Sequence, residues 1–145
     1  MKKNAKKNNK GFSLVELIIV VAIMAILIGV LGGQYLKFVE RSRKSADKSN
    51  VDEIIRAVQI YSADPEATTT VADGDKITIS TTKTTLTTDA NGAIADALEA
   101  AGISIGDDGT KLKLKSKEWG ADVVIEFDVT NGQVTAIVTP ASVTE

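Results

Sequence analysis

"KKNNKGFSLVELIIVVAIMAILIGVLGG", residues 6–33, decides how this chain is built. From Leu17 to Gly33 no side chain is charged or polar. Counted from Phe12, a helix over the run is ~33 Å long at about 1.5 Å per residue. That is enough to cross a bilayer core of ~30 Å. The run is apolar on every side, which is the profile of a membrane span rather than of a surface helix. One carboxylate, Glu16, stands a few residues inside it. A charge at mid-membrane costs ~2.5–3.5 kcal/mol on insertion scales and less near the interface, so it needs a partner and marks a function. The segment itself offers no basic side chain.

Lys2, Lys3, Lys6, Lys7 and Lys10 precede the run without an acid among them. They set the N-terminus in the cytoplasm and the remainder of the chain outside. An ordinary secretory signal, cut near Gly32-Gly33, shares the basic start but gives Glu16 no purpose. Cleavage between Gly11 and Phe12 would give it one, because a new α-amino group would then arise four residues before it.

Gly11-Phe12-Ser13-Leu14-Val15-Glu16, with its lysine-rich leader and the apolar run behind it, resembles the class III signal of type IV pilins. The resemblance is detailed over residues 1 to about 35. It implies removal of the leader after Gly11 by a prepilin peptidase/methyltransferase and N-methylation of Phe12. It also implies pairing of Glu16 with the Phe12 amine of a neighbouring copy. The implied partners are further copies of the chain, the inner pilus assembly machinery and, before assembly, the membrane. The implied location is the cytoplasmic membrane, N-in and C-out, and then an extracellular filament. The family often has a proline where Gly33 stands. Here Gly29, Gly32 and Gly33 are the weakest helix formers in the span, at ~1 kcal/mol each relative to alanine. They read as a segment that loses helix in a filament, or as small residues that let helices pack closely.

Beyond the span the helix is expected to continue. Val51, Ile54, Ile55 and Val58 recur at helical spacing, followed by Tyr61 and Ser62, and give one apolar face. Pro65 ends it by pushing Asp64 out of the α region. The junction carries Lys37, Arg41, Arg43, Lys44 and Lys48 against Glu40 and Asp47. That band reads as a solvated helix face or as a contact for the acidic outer part of another copy.

Ile77 and Ile79 alternate with polar residues and predict a strand over about 76–81, with a second near 84–87. "DANGAIADALEAAG" predicts a short helix over about 91–101. Asp89 or Asn91 caps it, Ile94, Ala97, Leu98 and Ala101 share a face, and Gly102 ends it. "KLKLK" alternates and predicts a strand that joins the sheet through a turn at 117–120. Asn131-Gly132 is the strongest short hairpin signal. It pairs Val129 with Val134, Phe127 with Ala136 and Ile125 with Val138. A slip of one residue would put Glu126 and Asp128 in the core. The fold class is α+β, with a long N-terminal helix packed on a C-terminal antiparallel sheet of three to four strands. The organisation is a leader (1–11), an apolar span (12–33), an amphipathic continuation (34–63) and a head (64–145), with the sheet over about 111–139.

The 145 residues contain no cysteine and no histidine, which removes disulfides, thiolate chemistry and histidine-based triads. No phosphate-binding loop occurs, and Asp73-Gly74-Asp75 and Asp107-Asp108-Gly109 lack the ligand spacing of an EF-hand. They read as turns. The acidic outer part does not suit nucleic acid. No metal, cofactor or catalytic role is implied. The expected function is structural, as a pilus subunit. The alternatives are a pseudopilin of a type II secretion or DNA-uptake apparatus and a single-span anchored extracellular binding domain.

Overall fold

A computed structural model describes residues 11–87, 89 and 91–143. Of the expected leader, residues 1–11, all but Gly11 lies outside the described residues. The chain divides between Val39 and Glu40 into two units. One helix, α1 (Leu14–Ala63), enters both.

In the N-terminal unit α1 shows its apolar side chains all round. Ile18, Val21, Leu27 and Leu31 are each more than half exposed. A helix that is apolar on every face needs lipid or other apolar helices as its surroundings. By length and composition, this is a helix that can cross a membrane.

In the second unit α1 is amphipathic. Val51, Ile54 and Val58 are fully buried, each contributing roughly 1.5–3 kcal/mol through lost apolar exposure. The helix ends where Pro65 requires it, and the Asp64 carboxylate caps the exit by accepting the Glu66 N–H at 2.9 Å.

The buried stripe meets a four-stranded antiparallel sheet of order β2-β1-β3-β4, formed by β1 (Lys76–Ile79), β2 (Thr84–Thr87), β3 (Val123–Thr130) and β4 (Gln133–Thr139). The architecture is α+β, a long helix with a small antiparallel sheet. Asn131 and Gly132 both take the left-handed conformation, at φ 54° and 76°, as a two-residue hairpin turn requires. The register then follows: Val129 opposite Val134, Phe127 opposite Ala136, Ile125 opposite Val138. Ile77, Ile79, Val123, Ile125 and Phe127 face the core. The short helix α2 (Ala93–Ala100) adds Ile94, Ala97 and Leu98. Gly92 rather than Asp89 or Asn91 stands at its N-cap, and the Asp89 carboxylate, from further upstream, accepts the N–H groups of Ile94 and Ala95. Gly102, at φ 74°, turns the chain out of α2.

One expected strand is corrected. "KLKLK", residues 111–115, is not part of the sheet, and the neighbour of β3 on that side is β1. The physical reason lies in where its backbone bonds go. The Leu114 N–H donates to the Ser80 carbonyl at 2.8 Å, and the Lys115 N–H donates to the Asp47 carboxylate at 2.9 Å. A segment whose amides are taken by a turn and by a side chain cannot also form a ladder. Its alternation reflects Leu114 in the core and Leu112 packed against it, reached from irregular backbone.

Candidate assembly and processing site

Gly11, Phe12 and Ser13 precede the helix in non-helical backbone and are exposed; Phe12 is 92% accessible. Ser13 opens the helix with a reciprocal cap. Its hydroxyl accepts the Val15 N–H at 3.3 Å, while the Glu16 carboxylate reaches back to accept the Ser13 N–H at 2.8 Å. This is a capping box, in which two otherwise orphaned helix-start donors are satisfied. The sequence carries its signature as Ser-x-x-Glu, and a reading of Glu16 as an acid in search of a distant partner passes over that local role. One Glu16 oxygen is used in this way, and the other has no partner among the described residues. Glu16 therefore sits at the positive end of its own helix, where a carboxylate is favoured.

Gly29, Gly32 and Gly33 lie inside an unbroken α1, and among the described residues nothing beyond the helix's own neighbouring backbone stands within 4 Å of where a side chain would begin. The structure does not bring them together with Glu16. They are several turns further along the same helix.

The basic residues of the junction divide. Arg43 pairs with Glu40 at 3.4 Å, and Lys44 pairs with Glu118 at 3.6 Å while lying 5.3 Å from the Trp119 ring centre. Lys37, Arg41 and Lys48 make no ion pair among the described residues.

The acids of the same stretch do more than line a charged helix face, and the sequence reading misses their role. Asp47 is 1% exposed and accepts the Lys115 N–H, the Ser116 N–H and the Trp119 indole N–H, each at 2.9 Å. Two turns earlier, the Glu40 carboxylate accepts the Ser116 hydroxyl and, at 3.0 Å, the Lys117 N–H. The Ser116 hydroxyl bond holds the Glu40 carboxyl below its ordinary range, with help from the Lys117 amide and Arg43. Together the two carboxylates fasten residues 115–119 to α1. A signal for this was available: Asp47 falls four residues before Val51, on the apolar stripe itself, where a charge must have donors.

The family model described as the prokaryotic N-terminal methylation motif matches residues 6–32. The type IV major pilin protein PilA of Myxococcus xanthus (strain DK1622) is 40% identical over 53 residues, which are 37% of this chain and 24% of that relative. The chain thus aligns with about a quarter of the curated relative's length. No solved structure matches the chain. The chain thus carries a prokaryotic N-terminal methylation motif at the start of its apolar helix and is similar, over 53 residues, to a type IV major pilin.

Proposed function

We propose that the chain is a structural subunit of a type IV pilus, cut after Gly11 and polymerised through its apolar helix. The carrying observation is Glu16, an acid at the start of a helix with no other charge before Lys37. Cleavage places an ammonium on Phe12, next to the amide that Glu16 already binds at 2.8 Å. The carboxylate oxygen left over then receives the amine of a neighbouring subunit. Away from water such a charge-assisted bond is strong and directional. Moving the helix from lipid into a bundle of like helices changes its apolar surroundings little. Register along the filament therefore falls to this pair and to helix packing. The contact is head-to-tail and open, which yields a fibre rather than a ring.

The remaining residues take supporting roles in the same reading. Before assembly the chain sits in the cytoplasmic membrane with its leader inside, where a prepilin peptidase/methyltransferase processes Gly11-Phe12. The assembly machinery then draws it into a surface filament. Gly29, Gly32 and Gly33 give the helix its point of easiest extension. Lys37, Arg41 and Lys48 remain available to acids of an adjacent copy. The deciding experiment is N-terminal sequencing of protein sheared from cells. The expected first residue is a methylated Phe12. A polymerised product that begins at Met1 or Gln34 would overturn the reading.

A further inference from the structure

The two edges of the sheet are treated differently. The outer edge of β2 is met by the chain itself at Thr84. The Thr84 N–H donates to the Gly109 carbonyl at 2.7 Å, and the Thr84 hydroxyl donates to the Leu112 carbonyl at 2.5 Å. Among the described residues the opposite edge, β4, is met only at its Val134 end. Because Thr130 and Gln133 close a two-residue hairpin, the backbone groups of Val134, Ala136 and Val138 point away from β3. The Val134 carbonyl accepts Gln59 Nε2 at 3.3 Å. Among the described residues no hydrogen bond reaches the outward groups of Ala136 or Val138.

Open edges are normally guarded by lysine, proline, a bulge or short length. β4 is QVTAIVT, without a charge, a proline or a break in its register. Ile137 is 56% exposed on it. Its cross-strand neighbour Glu126 is neutralised by Lys76 at 3.1 Å. An uncharged, β-branched edge of this kind accepts another strand.

We propose that β4 pairs antiparallel with β4 of a second copy of this chain, about a two-fold axis at Ile137. The strand matches itself in this register. Ala136 and Val138 exchange backbone bonds with Val138 and Ala136 of the second copy. Ile137 meets Ile137 of the second copy at a non-hydrogen-bonded position, where side chains approach most closely. Thr135 faces Thr139 of the second copy. Val134 faces Pro140 of the second copy, which has no N–H to offer, and the Val134 carbonyl already has its donor in Gln59. No charge is set against a like charge. Centring on Ala136 instead would place Ile137 opposite threonine and call on the Val134 carbonyl a second time. A second copy is thus the occupant whose sequence fits the edge residue for residue.

The contact is closed and isologous, distinct from the open contact of the filament reading. On that reading it joins neighbouring filaments side by side. The pairing itself concerns residues of the second unit and is tested on unassembled chain, so its failure leaves the filament reading untouched.

The test uses the full-length chain in detergent micelles. The chain has no native cysteine, so introduced thiols report position without interference. Ile137→Cys is expected to form a disulfide-linked dimer under mild oxidation, because opposed non-hydrogen-bonded positions have the separation a disulfide needs. Thr135→Cys alone is expected to stay monomeric, whereas an equal mixture of Thr135→Cys and Thr139→Cys chains links across the pair. Adding Ile137→Lys to that mixture is expected to abolish the link while leaving the far-ultraviolet circular dichroism unchanged. Equal cross-linking of Ile137→Cys and Thr135→Cys, or a mixed link that survives Ile137→Lys, would overturn the proposal.

Discussion

The indole N–H of Trp119 donates to the Asp47 carboxylate at 2.9 Å across 72 residues of sequence. The same carboxylate holds two backbone amides of the preceding loop. This one side chain therefore sets the course of the chain between α2 and β3.

Asp47→Ala orphans all of those donors at once. Each unsatisfied buried donor costs about 1–3 kcal/mol, so the expected loss of stability is roughly 3 kcal/mol or more. Denaturant unfolding followed by the emission of Trp119, the sole tryptophan, measures it. A midpoint equal to wild type would show that the loop is held by something else.

Acid should loosen the same loop through Glu40. Its folded-state affinity for a proton is lowered, chiefly by the Ser116 hydroxyl. A carboxyl of this kind contributes stability above the ordinary glutamate range and loses it as pH falls through the folded-state value. Trp119 emission should accordingly change on acidification below that range, and Glu40→Gln should flatten the response. An identical acid limb in both proteins would contradict the clamp.

Gly109 is the tightest point of the head. It has φ 76°, and a Cβ there would lie 2.1 Å from the Thr84 carbonyl oxygen. Gly132 has φ 76° as well but opens onto free space. The left-handed conformation alone costs about 1–2 kcal/mol in a residue with a side chain. Gly109→Ala should therefore lower the melting temperature clearly more than Gly132→Ala. Equal shifts would mean that the β2 edge yields easily.

Glu16 carries a local and a proposed intermolecular role, and two substitutions separate them. Glu16→Gln retains an acceptor for the Ser13 N–H and removes the charge. Glu16→Ala removes both. Both variants should be cleaved after Gly11 and both should give far fewer filaments by electron microscopy. Wild-type filament yield from Glu16→Gln would leave the capping box as the whole purpose of the residue. Gly11→Glu should stop processing, read as an uncut mass.

Most of the head was legible because its signals are local and periodic. The α1 stripe, the stop at Pro65 and the register around Asn131-Gly132 each follow from spacing within a few residues. The alternation from Lys111 to Lys115 misleads, because it has the pattern of a strand but not the hydrogen-bond partners of one. Those partners come from Asp47 and Ser80, at sequence distances that no local pattern reports. β1, although its strand character was evident, became the neighbour of β3 for the same non-local reason. At the N-terminus the methylation motif was plain, whereas the bond from the Ser13 amide to Glu16 was hidden behind the more conspicuous oddity of an acid in an apolar run.

The fastening of the 115–119 loop has a consequence for what natural variation can do. Glu40 and Asp47 address peptide amides there, together with the Ser116 hydroxyl and the Trp119 ring. Lys115 and Lys117 contribute only backbone to these bonds, and their side chains face solvent. Those positions can be rewritten freely while the anchor persists, so the outside of the head can change its chemical appearance without refolding.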